Sequence, residues 1–182
     1  AYANDINFNQ FYMELYSDTA TYLIGRHSID WGLGAVVDSG SDPWERHVTI
    51  RDGLTLKIQL GNFKIEPFVA KIGSAESVSR ATKVQEHGVS VLYDNKESDF
   101  KVGAYYSIKK NNSFNSTITT DITDLNDSSA ATGFGKTDVK VIDIFLQRTW
   151  NNFDVALEVP IFSGEMGDVY QNSGNAKYKA KA

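Results

Sequence analysis

The chain has 182 residues, a net charge of −5 and 12% aromatic residues, among them nine Tyr and ten Phe. That length suffices for one domain with a sizeable core, and the acidic balance lacks the basic footprint that nucleic-acid binding leaves. The absence of Cys excludes disulfides and cysteine-ligated metals.

No apolar run approaches the roughly 18 residues of a membrane helix. The longest, Trp31 to Val37, is short and contains two Gly. Barrel strands, however, cross a bilayer with only about 9–11 residues each, every second one free to be polar. The opening Ala1-Tyr2-Ala3-Asn4-Asp5 lacks the basic-then-apolar pattern of a signal peptide.

Alternation with a period of two recurs along the chain, whereas helical spacing is hard to find. Ile6 to Tyr16 reads as a strand of unclear facing. Thr21 to Gly34 places Leu23, Ile29, Trp31 and Leu33 on one face, with Tyr22, Arg26, Ser28 and Asp30 on the other. Leu54 to Leu60 is wholly aliphatic on one side and carries Thr55, Lys57 and Gln59 on the other. Phe63 to Ile72 follows the hairpin signal Gly61-Asn62. Gly88 to Tyr93 and Phe100 to Ile108 alternate in turn. In Asp138 to Thr149, Val139 and Val141 fall out of phase with Ile142, Ile144 and Leu146, and a bulge near Val141 would reconcile them. Phe153 to Ile161 alternates cleanly, with acids at 154 and 158. This gives eight strands, with room for a ninth starting near Asn175.

The connections alternate in length. Short ones are expected at Ser17–Ala20, Gly61–Asn62, Asp94–Ser98 and Trp150–Asn152, and long ones at Ala35–His47, Gly73–Lys83, Lys110–Lys136 and Ser163–Gly174. Outer-membrane barrels pair short periplasmic turns with long external loops in this way. The expected fold is therefore all-β: an antiparallel up-and-down transmembrane β-barrel occupying residues 1–182 as a single domain. Because the first connection is a short turn, the opening strand should descend, which makes the chain an internal piece of a larger barrel.

Alternation alone leaves open which face points outward. In a soluble ligand-binding barrel the apolar face points in. In a membrane barrel the lipid-facing set would be Leu54, Leu56, Ile58, Leu60, Val102, Val155, Leu157 and Val159. Arg26, Asp30, Lys57, Gln59, Lys64, Glu66, Lys101, Tyr105, Asp154 and Glu158 would then line the pore. Trp31, Phe63, Tyr93, Trp150 and Phe153 would form an interfacial girdle. The sharing of one end by all long loops, and the lack of charge on the best apolar faces, favour the membrane arrangement.

The stretch Ile24-Gly25-Arg26-His27-Ser28-Ile29-Asp30-Trp31-Gly32-Leu33-Gly34, followed by Asp38-Ser39-Gly40-Ser41-Asp42-Pro43-Trp44, resembles porin-like outer-membrane proteins of Gram-negative bacteria, of the predatory deltaproteobacterial type. The likeness is strongest over residues 21–72. It implies a membrane barrel and a passive pore, with no catalytic residues to carry over.

Other chemistry has weaker grounds. Arg26 and Asp30, four residues apart, either shape a pore field or satisfy each other structurally. Lys57, Lys64 and Lys101 set against Glu66, Asp154 and Glu158 form either a transverse field or a plug of ion pairs. His27, His47 and His87 have no metal-ligand spacing, and His27 falls awkwardly on the nominal lipid face. The acids of Asp38–Asp42 and of Asp121, Asp124 and Asp127 do not match EF-hand spacing, so no metal or cofactor is expected. Ser39-Gly40-Ser41 is not a nucleophile elbow, and no enzyme is expected. Asn111–Gly135 is read as a long external loop able to fold inward. The leading function is a porin-like channel for ions or small polar solutes in the bacterial outer membrane. Its expected partners are lipid, lipopolysaccharide and a homo-oligomer or larger envelope assembly. The alternatives are a non-conducting barrel that anchors or scaffolds a surface complex, and a soluble ligand-binding barrel.

Overall fold

The computed structural model describes residues 10–40, 48–72, 84–111, 137–166 and 176–181. They form nine strands and, among the described residues, no helix: β1 (Phe11–Tyr16), β2 (Ala20–Ser28), β3 (Ile50–Leu60), β4 (Phe63–Ile72), β5 (Val84–Asn95), β6 (Phe100–Asn111), β7 (Thr137–Trp150), β8 (Phe153–Met166) and β9 (Ala176–Lys181). Every strand pairs antiparallel with its sequence neighbour, in the order β1 to β9, so the sheet is one up-and-down meander with β1 and β9 at its edges. Among the described residues it does not close on itself.

Short connections join β1 to β2, β3 to β4, β5 to β6 and β7 to β8, and the long ones all lie at the opposite end. The tight turns use residues that tolerate positive φ: Gly61 at 57° and Asn151 at 48°. The long connections fall largely outside the described residues, as do Asn112–Gly135, Asp121, Asp124, Asp127, Asp42 and His47.

The sheet is strongly curved, as its cross-contacts require. From β2 to β8 there are six strand spacings, about 29 Å if the sheet lay flat. Five residues from Ser28 to Leu33 extend at most about 18 Å, yet the Leu33 amide meets the Glu158 carboxylate on β8. The concave face carries the odd-numbered residues of β2, β3, β6 and of Val139–Gln147 on β7, and the even-numbered ones of β4, β5 and β8.

Polarity divides between the faces in an unusual sense. The concave side buries Arg51, Glu86, Asp143, His27, Thr55 and Ser107 as well as apolar groups. The convex side exposes Leu54, Leu60, Val69, Val91, Ile142, Ile144, Leu146, Val155 and Leu157. At the long-loop end, one register row carries Arg26, Asp52, Lys71, Gln85, Lys110 and Asp138 across the convex face. Arg26 and Asp52 form a bidentate pair there, at 2.6 and 2.8 Å. The apolar stretch below this row slides toward the short-turn end along the sheet. It spans Leu54–Leu60 on β3 but Phe153–Ile161 on β8, where Leu60 shares its row with Leu157.

Three expectations are corrected. β7 contains no bulge: its register with β6 runs unbroken from Phe100↔Arg148 to Asn111↔Thr137. Val139 and Val141 instead face inward beside Asp143 and Phe145, because both sides of this strand are apolar. β2 ends at Ser28, and its facing is the reverse of that expected: Leu23 and His27 point inward, while Tyr22, Ile24 and Arg26 point outward. Trp31 joins no girdle. It is buried on the concave side, while Phe63, Trp150 and Phe153 are exposed at the short-turn end of the convex face.

Candidate functional site on the concave face

The chain leaving β2 turns inward. The Trp31 amide donates to the Val37 carbonyl at 3.3 Å and the Gly34 amide to the Trp31 carbonyl at 3.0 Å, folding residues 31–37 into a compact loop. Its tip needs Gly32 and Gly34, whose φ values are 61° and 87°. Ile29, Trp31 and Val37 bury themselves against Phe68, Tyr105, Val139, Val141 and Phe145. The indole lies 6.0 Å from the Tyr105 ring and 6.3 Å edge-on from Phe145, a geometry that aromatic quadrupoles favour. Gly103 makes room for it, since a Cβ there would come within 2.8 Å of the indole.

Polar contacts fix the loop to the wall. Trp31 Nε1 donates to Asp143 Oδ2 at 3.1 Å. The Leu33 and Ala35 amides donate to Glu158 Oε2 at 2.5 and 3.4 Å. Leu33 itself is 57% exposed, so the tip is held by these hydrogen bonds and not by burial of its side chain.

Behind Trp31 lies a second network. Arg51 and Glu86 have fully buried side chains and pair bidentately, at 2.7 and 3.1 Å. The Tyr105 hydroxyl accepts from Arg51 at 2.7 Å and donates to Glu86 at 3.1 Å. The guanidinium lies 4.4 Å above the Phe68 ring, a cation–π contact strengthened by desolvation. Lys109 approaches Glu86 at 3.8 Å.

Two polar recesses flank this packed centre. One, of about 330 Å³, lies between the inward loop and β1–β4, with Tyr12, Glu14, His27, Asp30, Lys57 and Glu66 on its walls. His27 is buried, bonded to the Gly25 carbonyl at 3.1 Å and to Thr55 at 2.8 Å. The other, of about 280 Å³, opens at the short-turn end beside Asp94, Lys101 and Gln147. There Lys64 pairs with Asp94 at 3.0 Å, and Gln147 donates to Asp154 at 3.1 Å.

The structure places Lys57, Gln59, Lys64, Glu66, Lys101, Tyr105, Asp154 and Glu158 on the concave face, and Asp30 just beyond β2 on the edge of the larger recess. Tyr105 is sealed beneath the loop and offers no open wall. Arg26 is the exception: it stands on the convex face, paired with Asp52 and not with Asp30. Leu54, Leu56, Ile58, Leu60, Val102, Val155, Leu157 and Val159 all occupy the convex face. Sequence reading missed Arg51, Glu86 and Asp143. Asp143 had a signal, because it keeps step with Val139, Val141 and Phe145; Arg51 and Glu86 lie outside the runs read as alternating. Among the described residues, no group of three or more acids or histidines is placed to hold a metal ion.

The glycine at the tip yields a direct expectation. A Cβ at Gly32 would lie 2.7 Å from the Glu158 carboxylate, at a φ that L-residues rarely adopt. Gly32→Ala should cost about 1–2 kcal/mol from φ alone and displace the Leu33–Glu158 contact. Denaturant unfolding should show a lowered midpoint with unchanged slope; an unaltered midpoint would mean the tip is not held as described.

Comparison with known proteins returned no matching family model, no matching curated protein and no matching solved structure.

Proposed function

We propose that this chain forms the wall of a bacterial outer-membrane β-barrel that passes ions or small polar solutes, its passage narrowed by the inward loop of residues 29–40. The observation that carries this reading is the polarity of the curved sheet, exposed and apolar outside, charged and buried inside. A soluble barrel needs the reverse, because an exposed apolar belt in water is an aggregation liability.

Three further features support it. The long connections share one end, as external loops do. The convex apolar belt slides along successive strands, and a level belt crosses hydrogen-bond rows obliquely wherever barrel strands tilt. The row of Arg26, Asp52, Lys71, Lys110 and Asp138 above the belt suits the headgroup region, including lipopolysaccharide. In hydrocarbon the edges of β1 and β9 require partners. The nine described strands alone, closed on themselves, would bring these two together in parallel.

The packed Trp31 cluster favours a second reading, a barrel that conducts little and serves as an anchor or scaffold. Single-channel recording of the full chain in planar bilayers separates the two. Discrete conductance steps are expected. Stable insertion without current would leave the anchor, and a chain that stays dispersed without detergent would leave the soluble barrel.

A further inference from the structure

Asp143 and Glu158 sit on adjacent strands, offset diagonally, since Asp143 pairs with Pro160 and Phe145 with Glu158. That diagonal is within reach of long side chains, and both carboxyls face the same inward loop from the concave side. Each already accepts from the inward loop through one oxygen, Asp143 Oδ2 and Glu158 Oε2. The other oxygen of each, Asp143 Oδ1 and Glu158 Oε1, is buried and has no donor. Two buried carboxylates on neighbouring strands repel when both are ionised, and a buried polar atom without a partner costs about 1–3 kcal/mol. One proton placed between the two orphaned oxygens satisfies both at once.

We propose that Asp143 and Glu158 share one proton and form a latch that holds the loop of residues 29–40 across the passage, so that losing the proton to bulk water lets the loop swing away. This rests on the reading of the concave face as a passage. The groups facing the pair from the elements packed against it are few. Tyr105, the register partner of Asp143 on β6, is engaged by Arg51 and Glu86. From the loop come the Trp31 indole and, beside Gly34, the Asp38 carboxylate. None of them supplies a hydrogen-bond donor to Asp143 Oδ1 or Glu158 Oε1. With the proton gone, two like charges face each other across the β7–β8 diagonal, and the loop's three N–H donors can follow either carboxylate into water.

The test uses the full chain in a Trp44→Phe/Trp150→Phe background, so that Trp31 is the sole indole. Acrylamide quenching in detergent and conductance in bilayers are both followed from acidic to alkaline pH. Quenching and conductance should each rise at least about twofold as the latch opens. Asp143→Asn, whose amide can donate to Glu158 while its oxygen still accepts from Trp31, should hold both flat and low. Glu158→Ala should leave both high throughout. Quenching that ignores pH, or that keeps its pH dependence in Asp143→Asn, overturns the latch. Quenching that follows the pattern while no variant conducts supports the latch and removes the channel reading instead.

Discussion

Glu86→Ala should lower the unfolding free energy by about 3–5 kcal/mol, the cost of leaving a buried charge without its partner. The Arg51 guanidinium is wholly inaccessible and its charge is balanced by Glu86. Removing the carboxylate leaves it only the Tyr105 hydroxyl and the Phe68 face. It also strips Tyr105 of its acceptor, loosening the floor on which Trp31 rests. Glu86→Gln keeps the shape and one acceptor, so its loss should be smaller. The double variant Arg51→Met/Glu86→Met should recover most of the difference, because a buried ion pair replaced by apolar groups of similar volume is often near neutral. Denaturant titrations of wild type and the three variants rank these losses. A loss below about 1 kcal/mol for Glu86→Ala would mean that water reaches Arg51 and that the centre is wet.

The strands whose two faces differ most were the most legible. Leu54–Leu60 and Phe153–Ile161 keep one wholly apolar side, so period alone showed which residues share a face. The choice of the outward face came from the loop lengths and the lack of charge on that side. β4 was bounded correctly because Gly61-Asn62 forces a turn before Phe63 and the next polar cluster follows Ile72. β7 defeated the same method because its inner residues Val139, Val141 and Phe145 are as apolar as its outer ones, and two apolar faces look like a slip of phase.

β2 failed for a related reason. Leu23, Ile29 and Trp31 are apolar because they cover the inner wall, and nothing local distinguishes that duty from facing lipid. The inward loop was illegible altogether. Its contacts join Trp31 to Asp143 and Leu33 to Glu158, separations of 112 and 125 residues, and local periodicity carries no information at that range. Arg51 and Glu86 are 35 residues apart on strands that do not touch in the sheet order, so their pairing depends on curvature, which the pattern of apolar and polar residues does not encode.

Ile144→Arg tests the lipid-facing assignment at the level of a single side chain. Ile144 is 48% exposed, lies midway along β7 on the convex face, and has Ala104 and Val159 as register neighbours. In water a substitution at so open a site should fall within about 0.5 kcal/mol of neutral. At the midplane of a bilayer the same guanidinium should cost about 2–4 kcal/mol, declining to about 0–1 near the interface. Gln85→Arg supplies the shallow comparison, because Gln85 is exposed in the charged row between Lys71 and Lys110. Folding of both variants into phospholipid vesicles, followed by denaturant titration, should therefore separate them by about 2 kcal/mol or more. The comparison isolates depth from charge, since each variant adds the same group to the same face. Equal and small costs at the two positions would place both in water, and the convex face would then need a protein partner instead of lipid to cover it.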